Sequence, residues 1–491
     1  MYFAYFAMFC VAVAYGILVA LTDWLSLIFF APILPIIGIF LDYRIGVVLL
    51  MILMPLSMFL PQFHGFNIIT YLSFTTSFSL CAKAYTKKYD INLLPPWVWW
   101  AYLLPVTWAA FIGLGHLREV PVYMLLLSNA TEMTAYNYLN NYIFKPFLKV
   151  LLAWLLACAV VHSKRPERFL PVFVISATLP SLAIVIFVLK SGASMSAIAR
   201  RGFLSEMGGM HANEFGMMLV MVFGPLLFLI PALRSLWAKF ATLIALSCVL
   251  GGVMITFSRG AYVAVLIILV AFFLTRENKA LSLAMAAGAL LLGALAIPGE
   301  VIERATLGLE SSRHSSNKED KLTAGRVEGW YILFPEVLKN PVIGNGLEST
   351  FWSNGVKYGW YFADHPHSVY LRILMDTGIV GFVLVLYFYW RLFQFLYHAP
   401  GAPPLFRAFF HGMAASLSGF LVDGFTNGSF APRPEHTYLW MIFGISLGLA
   451  RLAKAENMAH DGKSQLELPR RGTALDITGN NEGALNRSLA S

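Results

Sequence analysis

The sequence predicts an all-α polytopic membrane protein of about 12–14 transmembrane helices, with one large non-cytoplasmic loop holding short amphipathic helices. Three observations predict it. The 491 residues are 58% hydrophobic and only 12% charged, with mean hydropathy +0.69, where a soluble domain carries about 25% charged residues. Apolar runs of about 17–25 residues, each enough to cross a bilayer core as a helix, recur along almost the whole chain. One long hydrophilic stretch, 299–372, interrupts them.

Taken in order, the apolar runs predict about fourteen helices, at 3–22, 24–41, 45–61, 66–82, 97–115, 141–161, 168–189, 211–232, 238–256, 260–275, 280–298, 373–395, 405–424 and 436–453. The first run lacks a basic start and a small-residue cleavage site, so it is expected to stay as a span. Short loops carrying Arg44, Lys83, Lys87, Lys88, Lys164, Arg165, Arg168, Arg234, Lys239, Arg276, Lys279, Arg391, Arg407, Arg451 and Lys454 then fall on one face. Only Asp42, Asp90, Glu167, Glu277 and Glu456 oppose them there, so this face is expected to be cytoplasmic, with both termini inside. The same bias accounts for the net charge of +9 and the pI near 9.2 without nucleic acid as a partner. Cys10, Cys81, Cys158 and Cys248 all sit in apolar runs without metal-type spacing and read as small core hydrophobes. No internal repeat is visible, which weakens a transporter built from two similar halves.

The chain divides into N-terminal helices (1–190), a region 191–455 that includes the long loop 299–372, and a polar tail, 456–491, expected to be disordered. Within the loop, Glu310 to Lys321 reads as solvated. Trp330, Tyr331, Phe334 and Leu338 recur at helical spacing and predict an amphipathic surface helix over 327–338. Asn340-Pro341 ends it, and Gly344 and Gly346 permit the turns that follow.

Side chains able to do chemistry gather on the non-cytoplasmic face. Arg200 and Arg201 violate the orientation bias there and lie just before Asn213 at the mouth of a helix. Arg259 occupies a tight Ser258-Arg259-Gly260 turn, and a guanidinium held in place suits a phosphate in a bidentate fork. His365 and His367 lie just before a helix, where imidazole, with an ordinary pKa near 6.5, can take a proton near neutral pH. Asp364 or Asp376 could orient that imidazole or simply pair locally, and no third and fourth ligand stands at metal-type spacing.

Five segments in order then carry a resemblance, over roughly 195–450. They are Arg201 with Asn213; Ser258-Arg259-Gly260; Gly325-Arg326 with Trp330; Asn340-Pro341 with Gly344-Asn345-Gly346; and His365-Pro366-His367-Ser368-Val369-Tyr370-Leu371 followed by Asp376-Thr377-Gly378-Ile379-Val380-Gly381. Together they resemble the bacterial O-antigen ligase and O-antigen polymerase superfamily, which includes protein O-oligosaccharyltransferases. The resemblance implies a bacterial inner-membrane enzyme that works at the periplasmic face, with no metal or other cofactor. It implies an undecaprenyl-diphosphate-linked glycan donor, a glycan, lipid A-core or protein acceptor, and transfer to an acceptor hydroxyl with inversion. His367 matches the family's essential histidine, and Arg201, Arg259 and Arg326 its functional arginines. Ser368 stands where the family often has Asn, and Asp376 where Glu is commoner. With Arg259 and His367 as the expected catalytic pair, Arg200, Arg201, Arg326, His365, Asn213 and Trp330 are the expected substrate-binding residues. The competing expectation is a flippase for lipid-linked glycans or another polytopic transporter.

Overall fold

Helix boundaries follow breaks that particular side chains dictate. The computed structural model describes residues 33–119, 134–191, 211–275, 326–357 and 366–466, apart from isolated positions inside those spans. The expected helices 3–22 and 280–298, Cys10, the solvated start of the long loop and the end of the tail lie outside the described residues. So do Arg200, Arg201, His365 and Asp364.

The helices are α1 (Ile33–Leu41), α2 (Tyr43–Leu53), α3 (Ile68–Lys87), α4 (Pro96–Leu114), α5 (Tyr136–Val161), α6 (Pro166–Ser191) and α7 (Ala212–Ala232). They continue with α8 (Leu236–Ile255), α9 (Arg259–Leu274), α10 (Arg326–Val337), α11 (Val369–His398), α12 (Pro404–Asp423) and α13 (Thr437–Leu466). The protein is thus an all-α polytopic membrane protein; a two-residue ladder, Gln62–Phe63 with Phe66–Asn67, is its departure from helix among the described residues. By length and composition, 8 helices among the described residues can cross a membrane: α4 to α8, α11, α12, and α13 with the turn before it. Tyr43–Leu56 and α9 are apolar but shorter, and α3 is diluted by Ser73, Thr75, Thr76, Ser77 and Ser79.

Local chemistry explains the starts and bends. Asp42 caps α2 by accepting from the Arg44 N–H at 3.1 Å, and the buried Tyr43, Gly46, Val47, Leu50 and Met51 form one stripe at helical spacing. In both α4 and α5 a π-helical turn (Trp99–Leu103 and Leu139–Phe144) ends two residues before a proline, Pro105 or Pro146. Widening the turn relieves the clash between a proline ring and the carbonyl four residues back.

The core forms around α7, which beyond Glu214 is apolar all round and is accordingly buried on nearly every side. It crosses α12 where Gly224 and Gly412 let the backbones meet: a Cβ on Gly224 would fall 2.3 Å from the Gly412 carbonyl oxygen. Ser416 seals that crossing, its hydroxyl donating to the Val220 carbonyl (2.9 Å) and accepting from the Gly224 N–H (3.2 Å). Small residues and interhelical hydrogen bonds are what hold helices together where lipid removes the hydrophobic drive.

Two expectations change here. The expected tail boundary at 456 falls inside α13, because Ala453 to Ala459 are mostly good helix formers with no Gly or Pro among them. Of the cysteines, Cys158 is buried but Cys81 is exposed on α3. The described residues 326–357 and 366–377 pack on the bundle end where α7 and α9 begin and α12 finishes, called the loop end below. At the opposite end Arg451 pairs with Asp90 and Arg44 with Asp42.

Candidate active site at the loop end

The loop end is assembled around a break in α11. Gly378 sits at φ 66°, ψ −172°, so α11 is two helices in series, and the break frees backbone groups on both sides of it. The loop 340–346 supplies their partners. Ile379 and Val380 donate to the carbonyls of Pro341 and Val342 at 2.8 and 3.3 Å. Asn345 and Gly346 donate to those of Met375 and Asp376 at 2.8 and 3.1 Å. The Asn340–Gly346 and Asp376–Gly381 motifs are therefore two halves of one joint. Only at such protein-covered places is irregular backbone tolerated in a membrane protein.

The joint fixes the first half of α11, whose N-terminus follows His367. Ser368 caps this helix, its hydroxyl accepting from the Leu371 N–H at 3.4 Å. His367 is partly buried and has φ 48°, a left-handed conformation that is uncommon for any residue but glycine. The bonds on either side hold it there. The Trp330 indole donates to the Pro366 carbonyl at 2.8 Å, and the Val369 N–H to the Gly424 carbonyl at 2.8 Å.

Trp330 belongs to a small cluster with Leu333, Val337, Leu371 and Met375, which seats α10 on α11. The four aromatic and apolar residues expected on one face of α10 are thus divided: Trp330 turns inward, while Tyr331, Phe334 and Leu338 are exposed. Arg326 opens α10, and its side chain lies outside the described residues.

Arg259 stands at the first position of α9. Phe257, buried at φ 50°, makes the sharp turn, and Ser258 caps the helix, its hydroxyl accepting from the Ala261 N–H at 3.5 Å. The turn packs on the start of α7: a Cβ on Gly216 would fall 2.9 Å from Ala261 Cβ and 3.2 Å from Ser258 Cβ. Asn213 is buried in the first turn of α7, which a capping box closes. There His211 Nδ1 accepts from the Asn213 N–H, and Glu214 from the His211 N–H.

The structure brings Arg259 and His367 to the same helix end. α9 packs along α12, with Gly419 against Ala264, and five residues further on, Gly424 accepts from Val369 beside His367. Among the helices that begin here are α7, α9, α11 and α13, so their partial positive charges collect at one end of the bundle.

Sequence reasoning missed the charged residues that tie these parts together. Glu348 is buried, its carboxylate accepting from Arg372 through one oxygen and from Arg433 (2.7 Å) through the other. Arg433 also lies 3.5 Å from Glu214 and over the Tyr142 ring. Burial works against its charge, yet Glu348, Tyr142 and Glu214 outweigh that effect and raise its pKa above the ordinary guanidinium value. Asp376 accepts from the backbone of Glu348 and Ser349 and from the Ser349 hydroxyl, at 3.1, 2.9 and 2.7 Å. Of the two roles open to it from sequence, orienting an imidazole or pairing locally, these bonds assign it the local one. The signal for Glu348, Arg372 and Arg433 was their charge next to membrane spans, but only the fold pairs residues so far apart in sequence.

Among the described residues no group of three or more His, Cys, Asp or Glu is arranged to hold a metal ion. No curated protein matches the chain significantly. Residues 243–386 match the family described as O-antigen ligase. That stretch runs from α8 through the Arg259 turn, the joint and His367 into α11, and over it the chain is similar to the O-antigen ligase-like superfamily.

Proposed function

We propose that the protein transfers a glycan from undecaprenyl diphosphate to an acceptor hydroxyl at the periplasmic face of the bacterial inner membrane. Glycan transfer of the O-antigen ligase type is what the family match supports in general. The observation that carries the finer reading is the shared helix end of Arg259 and His367, ringed by helix N-termini, which suits a dianionic leaving group.

In this reading Arg259, with Arg200, Arg201 and Arg326, neutralises the charge that grows on the departing diphosphate. Asn213 stands beside the Arg259 turn as a hydrogen-bonding neighbour of the donor. His367, with His365 nearby, takes the proton of the acceptor hydroxyl as its oxygen attacks the anomeric carbon. The new bond joins that oxygen to the anomeric carbon. The bond between carbon and phosphate oxygen breaks, its electron pair leaves with undecaprenyl diphosphate, and the carbon inverts. Trp330 keeps the His367 turn in register. The chain's positive bias at the far end supports a cytoplasmic placement there, and hence a periplasmic loop end.

The test is reconstitution of the purified protein with an undecaprenyl-diphosphate glycan and an acceptor glycan or lipid A-core. Release of undecaprenyl diphosphate with an extended acceptor is expected, and His367→Ala should slow it about 10²–10⁴-fold. Movement of the donor across the bilayer with its glycosidic bond intact would instead make the protein a flippase.

A further inference from the structure

Glu348 is gripped from three sides, more than a loop residue needs merely to stay folded. It is non-glycine at φ 63°, in the left-handed region, and its residue is 1% exposed. Arg372 and Arg433 each take one carboxylate oxygen, and Asp376 accepts from its backbone N–H at 3.1 Å. Through Arg433 the chain of charges continues to Glu214 in the first turn of α7, next to Asn213. Through Arg372, whose N–H donates to the Ser368 carbonyl at 3.1 Å, it reaches the turn that carries His367. One carboxylate thus joins the helix start beside the Arg259 turn to the helix start beside His367.

Stability alone does not account for such a ladder. Buried ion pairs recover little more than their desolvation cost, and well-packed apolar side chains often serve a fold as well or better. What a branched pair supplies is geometry: two guanidiniums on one carboxylate define both a distance and an angle between the helices they come from. Reaction rates are sensitive to that geometry, since a displacement of about 1 Å can cost 10²-fold.

We propose that Glu348 is a positioning residue for glycan transfer, setting the His367 turn against the Asn213 and Arg259 helix starts through Arg372 and Arg433. The proposal rests on the transfer reading above. It touches neither donor nor acceptor, so its removal acts on turnover and not on donor affinity.

The experiment compares wild type, Glu348→Gln and Glu348→Asp in reconstituted vesicles. It measures kcat and KM for undecaprenyl-diphosphate glycan, and amide hydrogen exchange over 368–376. Glu348→Gln should lower kcat about 10–100-fold with KM changed less than about twofold, and Glu348→Asp should recover part of the loss. Exchange at 368–376 should quicken in Glu348→Gln. Should Glu348→Gln fail to fold, Arg433→Lys serves as the second variant, keeping the charge while losing the two-armed reach, with the same kcat-only loss expected. Near-wild-type kcat in these variants, or a rise in KM alone, overturns the proposal. Unchanged exchange at 368–376 overturns it too, whatever the activity. A wild-type protein that transfers no glycan at all counts against the transfer reading, and the exchange result still decides the role of Glu348 in holding the His367 turn.

Discussion

Gly344 and Gly378 meet backbone to backbone. A methyl group on Gly344 would fall 2.4 Å from the Asp376 carbonyl oxygen, and one on Gly378 2.4 Å from that of Val342. Both residues also have positive φ, 81° and 66°, so each is required twice over, for its conformation and for the close approach. Gly378→Ala should cost about 1–3 kcal/mol in left-handed strain alone, and more from the collision with backbone, which cannot swing aside. Gly344→Ala should behave alike. Because the two damage one joint, the double variant should lose less than the sum. Thermal unfolding in detergent measures all three; additive losses would mean that the loop and α11 do not depend on each other.

Trp330→Phe separates the two tasks of the indole. The phenyl ring still fills the cluster with Leu333, Val337, Leu371 and Met375, but the bond to the Pro366 carbonyl is gone. Loss of one such bond costs about 0.5–1.5 kcal/mol, small against the stability of the whole chain. It falls on one of the two bonds that hold His367 at φ 48°. Melting should therefore change little while turnover falls severalfold, and Trp330→Ala should lower both. Equal activity in Trp330→Phe and wild type would free the His367 turn from its dependence on this bond.

What the sequence made legible here follows from physical range. Span positions such as 97–115 and 211–232 were readable because an apolar helix must be long enough for the bilayer, a local property of the chain. The tight turn at Arg259 was legible for the same reason, since Ser258, Arg259 and Gly260 are consecutive. The Asn340–Gly346 and Asp376–Gly381 motifs were each visible, yet nothing local says that one repairs the break in the other. Glu348, Arg372 and Arg433 escaped because their meaning is pairwise and nonlocal. The inward turn of Trp330 escaped as well, since an amphipathic pattern does not show which of two apolar faces meets protein and which meets lipid.

The end opposite the loops should respond to pH in two separate windows. Burial, aided by Arg44, holds the His162 imidazole below its ordinary value, against the pull of Asp90. The unfolded chain then takes up a proton near pH 6.5 that the folded one refuses, so stability is lost as pH falls below about 6.5. Asp90 behaves differently. Its bond to Arg451 depresses its carboxyl, so its contribution is present above about pH 3.9 and is lost only as pH falls through the lower folded value. Both groups are partly exposed, so each effect should stay under about 1 kcal/mol. Melting temperatures of wild type and His162→Gln should converge toward pH 5, and those of wild type and Asp90→Asn only below pH 4. Curves that stay parallel from pH 7 to pH 3 would remove both groups from the balance.

Asp376 gives the sharpest choice between two roles. If it oriented a catalytic imidazole, Asp376→Asn would spare the fold and slow the reaction. Its bonds run elsewhere: each carboxylate oxygen accepts from the backbone of Glu348 or Ser349, and the Ser349 hydroxyl adds a third bond. An asparagine presents one oxygen and one NH₂ to this array, so one backbone donor would face another donor inside a buried site. Leaving a buried donor unsatisfied costs about 1–3 kcal/mol. Asp376→Asn should therefore lower the melting temperature, and hydrogen exchange should quicken at 347–350 before it does elsewhere. Ser349→Ala removes a single hydroxyl bond and should cost less. With Asp376→Asn already in place, Ser349→Ala should cost less again, because the two share one oxygen. A normal melting temperature with a large loss of turnover in Asp376→Asn would return Asp376 to the reacting centre.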